Sequence, residues 1–70
     1  MTATQLDILT EAMRNGRHGL LRKIMGPRGA RCADNLVRRG LLYRGESPEI
    51  GGGVIFIISP EGERAMDAAR

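Results

Sequence analysis

Arg28, Arg31, Asn35 and Arg38 stand at i, i+3, i+7 and i+10, a spacing that puts four hydrogen-bonding side chains on one stripe of an α-helix. Their chemistry is that of recognition by hydrogen bonds. An arginine fork can pair bidentately with guanine and an asparagine amide with adenine, each such pair contributing about 1–3 kcal/mol of discrimination against a wrong base. Around this stripe the chain is unusually basic. Between Arg14 and Arg44 nine bases (Arg14, Arg17, Arg22, Lys23, Arg28, Arg31, Arg38, Arg39 and Arg44) accompany one acid, Asp34, for a net +8. The rest of the chain has two bases and seven acids, a net −5, so the overall +3 hides the segregation. Concentrated positive charge favours a polyanionic partner, because neutralising phosphates releases their condensed counterions. A solvated basic face with no partner would show the same composition, but so many arginines with a single acid weigh toward binding.

Other chemistry finds little support. His18 has no cysteine or carboxylate at metal-ligand spacing. Cys32 lies between Arg31 and Ala33 and reads as a small buried or half-buried thiol rather than a redox sensor. Gly51-Gly52-Gly53 lacks the lysine and following helix of a phosphate cradle, and no Ser/His/Asp or Cys/His set has usable context. No enzyme, metal or cofactor is therefore expected. Met13, Met25 and Met66 read as core filler. Tyr43 and Phe56 are the only aromatics, too few for a base-stacking platform, so duplex is expected over single strand.

The elements that must position the stripe follow from periodicity and caps. Thr4 is expected to cap a helix over 4–15 whose stripe is Leu6, Leu9 and Met13, ended by Asn15-Gly16. A short second helix is expected over 19–25, stopped by Gly26-Pro27. The third, over 28–39, turns Ala33, Leu36 and Val37 inward and closes at Gly40. Residues 41–44 and 54–58 read as strands joined by a flexible, glycine-rich loop over 45–53. Ser59-Pro60 then opens a final helix, with Glu61 and Glu63 at its positive end and Ala65, Met66 and Ala69 inward.

Seventy residues leave room for one domain, 1–70, with a thin core and no disulfide, since Cys32 is alone. Homodimerisation through the first or last helix is expected. The longest apolar run, Val54–Ile58, is too short for a membrane span or a signal peptide, and one cysteine fits a reducing compartment, so a cytoplasmic location is expected.

Two segments resemble the winged helix-turn-helix DNA-binding superfamily, of the small bacterial or phage regulator type. Asp34-Asn35-Leu36-Val37-Arg38-Arg39-Gly40-Leu41-Leu42 looks like the end of a recognition helix running through an Arg-Gly-Leu turn into a wing strand. Phe56-Ile57-Ile58-Ser59-Pro60-Glu61-Gly62-Glu63-Arg64-Ala65 is similar to the strand, Ser/Thr-Pro-x-Gly, helix junction that follows the wing. The resemblance implies an α+β fold with three helices, a two-stranded wing and a C-terminal helix. It also implies a transcription regulator, such as a repressor, with the 28–39 helix in the major groove. Arg28, Arg31, Asn35 and Arg38 then fall on the recognition helix, while Arg14, Arg17, Arg22 and Lys23 fit phosphate contacts and Arg44 could make one from the wing. The wing tip departs from this pattern, having Glu46 and Glu49 and no base. That departure keeps a second reading open, a protein-interaction module gripping an acidic partner as an inhibitor or assembly factor would.

Overall fold

The computed structural model describes residues 1–49 and 51–69; Ile50, in the glycine-rich loop, and Arg70 lie outside the described residues. The fold is a small α+β arrangement of three α-helices and a three-stranded antiparallel sheet. In chain order these are α1 (Ala3–Asn15), β1 (Leu20–Leu21), α2 (Gly26–Arg38), β2 (Leu42–Glu46), β3 (Val54–Ile58) and α3 (Pro60–Ala68). Short 3-10 turns, Gly16–His18 and Arg22–Ile24, flank β1. Among the described residues no helix is long and apolar enough to cross a membrane.

Helix α1 begins one residue earlier than expected, and its cap lies two residues earlier. Thr2, not Thr4, is the N-cap: its hydroxyl accepts from the Gln5 backbone N–H while the Gln5 side chain accepts from the Thr2 N–H. This reciprocal pair satisfies two donors, and a Thr4 cap with Asp7 in the third position would supply only one. Gly16, at φ +54, ends the helix as expected.

The helix expected over 19–25 does not form. Leu20 and Leu21 instead pair with Phe56 and Ile55, making β3 the central strand between β1 and β2. Gly19 permits this, because it holds φ +69 and a Cβ there would meet the Phe56 carbonyl oxygen at 2.8 Å. The chain passes so close to β3 that only glycine fits. What remains of the expected helix is the turn Arg22–Ile24.

Gly26-Pro27, expected to stop a helix, starts one. Proline's missing N–H is harmless in a first turn and its fixed φ suits the helix. The C-terminal end of α2 closes as its glycine requires: Gly40, at φ +77, donates to the Val37 carbonyl and Leu41 to that of Leu36 at 2.9 Å, a Schellman pair of bonds. The chain thus leaves α2 with Leu41 folded back over Leu36, and both are buried.

Strand β2 runs two residues further into the glycine-rich segment than expected and pairs with β3 from Leu42↔Ile58 to Glu46↔Val54. The loop beyond it carries hydrogen bonds of its own, Ser47 N–H to the Gly53 carbonyl at 2.8 Å and Gly52 N–H to that of Glu49 at 2.9 Å. Ser59 caps α3 as expected, its hydroxyl accepting from the Gly62 N–H at 3.0 Å and donating to the Gly40 carbonyl at 2.6 Å.

One core collects the inward faces of every element. Leu9, Ala12, Ala33, Leu36, Leu42, Phe56 and Met66 are all but inaccessible, with Met13, Met25, Val37 and Ala65 packed around them. Ser59 is the buried polar side chain among the described residues, and its two hydrogen bonds explain why it can be there.

Candidate nucleic-acid interface

Helix α2 turns Ala30, Ala33 and Leu36 into the core. Its opposite side carries Arg28, Arg31, Asn35 and Arg38, all exposed. At about 100° per residue the four side chains span roughly 80° of arc, so they form one stripe. Arg39 is exposed next to them. Thirteen residues give the helix a length of about 20 Å.

Asp34 gathers arginines from three elements. Arg22, on the turn before α2, donates to its two carboxylate oxygens at 2.8 and 3.3 Å. This bond, first, and the charges of Arg22, Arg44 and Arg38 hold the Asp34 carboxyl below its ordinary range, against an opposing contribution from partial burial. The Arg22 guanidinium is pushed up by the same hydrogen bond and charge. Arg38 and Arg44, with Asp34 and Val37, line an open cleft of about 200 Å³ between α2 and β2. Neither Arg38 nor Arg44 forms an ion pair among the described residues.

The basic residues expected to meet phosphate therefore differ in availability. Arg22 is engaged: its side chain is 41% exposed, and its fork is spent on Asp34. Arg14, on α1, is paired with Glu11 at 3.1 Å on an open surface, where such a pair holds the side chain only loosely. Lys23 and Arg17 are exposed and unpaired among the described residues. Arg44 projects from β2 beside the end of α2, as its shared cleft with Arg38 shows. Arg22, Arg38 and Arg44 are thus brought together around Asp34; among the described residues no hydrogen bond or ion pair joins Arg14 or Arg17 to that group.

Apart from Asp34, the described carboxylates lie off α2, on elements that also carry Arg14, Arg44 and Arg64. Asp7 and Glu11 are exposed on α1, Glu46 and Glu49 at and beyond the end of β2, and Glu61 and Glu63 on α3, where Glu61 pairs with Arg64. Among the described residues no three of His, Cys, Asp and Glu gather as metal ligands would. His18 is exposed and Cys32 half-buried on α2.

Sequence reasoning missed the organising role of Asp34. Its signal was available, since it is the one acid in the basic segment, and a lone carboxylate amid arginines will find a partner. No protein-family model, curated protein or solved structure matches the chain.

Proposed function

We propose that this protein binds double-stranded DNA as a small winged helix-turn-helix regulator, with α2 in the major groove and β2, β3 and their loop as the wing. The observation that carries the reading is the exposed stripe Arg28, Arg31, Asn35 and Arg38, diametrically opposite the buried alanine face of the same helix. A groove about 12 Å wide admits such a helix, and these side chains match base edges. The element order and the sheet order β1-β3-β2 are compatible with a winged helix. On this reading the turn Arg22–Ile24, tied to α2 by the Arg22–Asp34 bond, would stand in place of the first helix of the pair. Arg17 and Arg44 would contact phosphates, with Arg14 joining after leaving Glu11. No cofactor or catalysis is assigned. Two copies bound to a two-fold-symmetric operator would double the small contact area of one domain and repress by occupancy.

Charge reversal tests the reading. Arg31→Glu combined with Arg38→Glu should abolish duplex binding in a fluorescence titration while leaving the circular dichroism spectrum unchanged, because both residues are exposed. Retained duplex affinity in the folded double variant contradicts the reading.

The exposed Glu46 and Glu49 favour a second reading, a protein-interaction module that uses the basic face against an acidic protein. A stoichiometric protein complex, lost in the same double variant, with no duplex binding by the parent chain, would select it.

A further inference from the structure

Ile24 is 75% exposed, although an isoleucine gains as much from burial as any core residue. It sits on the turn Arg22–Ile24, directly before Met25. Met25 lines an open, largely apolar groove of about 240 Å³ between α1, β1 and the start of α2, with Ile8, Leu20 and Gly29 beside it and Asp7 and Glu11 on the α1 rim. Gly29 lines the groove without a side chain, and a Cβ there would press on the Met25 Cβ at 3.2 Å. A projecting apolar side chain and an unfilled apolar recess therefore adjoin one another along the chain.

Charge follows the same division. The recess has its carboxylates on α1, and Asp7 has no ion pair among the described residues. The projecting turn carries Lys23, exposed and likewise unpaired among the described residues. A surface with a knob and a hole, and with a base on one side and an acid on the other, is complementary to itself under a twofold rotation, where each contact i to j recurs as j to i.

We infer that this face is the interface between two copies of the chain, with Ile24 of each entering the groove of the other and Lys23 of each facing the other's Asp7. A small apolar ligand would fill the groove yet leave Ile24 in water; a second copy covers both the groove and Ile24 and pairs Lys23 with Asp7. The inference deepens the dimeric part of the proposed function and assigns its surface to the α1 groove and the turn. The arrangement leaves the arginine stripe open, since Gly29 lies about 140° around α2 from the middle of that stripe.

Analytical ultracentrifugation at concentrations up to about 1 mM tests it without nucleic acid. The parent chain should sediment as a dimer, and Ile24→Asp as a monomer with an unchanged circular dichroism spectrum. Lys23→Glu and Asp7→Lys should each weaken the dimer about tenfold or more through like-charge contacts, and the two together should restore it. A dimer indifferent to Ile24→Asp, or no rescue in the charge-swapped variant, overturns this face while leaving dimerisation intact. A parent chain that is monomeric throughout overturns both this interface and the dimeric reading, and neither result bears on duplex binding.

Discussion

The chain enters α2 and α3 by opposite means. At α3, Ser59 caps the first turn, Pro60 fits its start, and Glu61 and Glu63 sit near the positive end of the helix. At α2, Met25 is the N-cap with no side-chain hydrogen bond, and the first turn contains no acid but does contain Arg28. Caps and acidic first turns satisfy free N–H groups and offset the helix dipole. Helix α3 uses every such device and α2, apart from Pro27, forgoes them. An uncompensated helix start surrounded by arginines loses local stability and gains affinity for anions. Under the proposed function, α3 is built to close the fold and α2 to meet phosphate, which is where a sequence is expected to depart from the rules of stability.

The largest effect that would break the comparison is at the entry to α3. Gly62 lies so close to the chain leaving α2 that a Cβ would sit 2.1 Å from the Leu41 carbonyl oxygen and 2.9 Å from the Ile58 side chain. Gly62→Ala should therefore destabilise the protein by about 3 kcal/mol, seen as a drop in the urea midpoint. A change under about 0.5 kcal/mol, the size usual for a surface site, would mean that this junction is not tightly packed.

Arg28→Glu would sharpen the contrast. Giving α2 the acid it lacks should raise stability by about 0.3–1 kcal/mol and weaken duplex binding in the same preparation. Opposite signs for the two readouts are the expectation; a loss of both would show Arg28 holding the fold.

Smallest is the effect of pH on the Arg22–Asp34 bond. Because the folded Asp34 carboxyl titrates below its unfolded range of about 3.9, the bond's contribution is complete above that range and disappears as pH falls through the lowered folded value. In Asp34→Asn the acid side of the stability profile should lose this component while the profile above it stays flat. Carbon-13 NMR of the side chain should place the Asp34 titration below the ordinary aspartate range of about 3.9.

How much of this was legible in the residues varies by element. The capped, strongly periodic parts were readable: the end of α1 at Gly16, the closure of α2 at Gly40, β3, and the Ser59-Pro60 start of α3 all follow from local chemistry. The exposed arginine stripe was readable for the same reason, since helical spacing fixes which side chains share a face. Leu20 and Leu21 were not, because an apolar pair flanked by bases fits a short helix as well as a strand, and only the pairing with β3 decides. A clue lay in Val54–Ile58, five apolar residues without alternation, which is the pattern of a strand with neighbours on both sides and covered faces. The meaning of Gly26-Pro27 was equally ambiguous, for glycine and proline punctuate a helix at either end. Arg22 looked like a free phosphate ligand until the fold placed Asp34, 12 residues on, within reach of it.

The measurement closest to the central claim is the affinity for duplex DNA as a function of salt. If the arginine stripe and its neighbours neutralise about five to seven phosphates, the logarithm of the binding constant should fall with the logarithm of salt at a slope of roughly −4 to −6. A flat response, or no binding at low salt by a folded chain, would contradict the account.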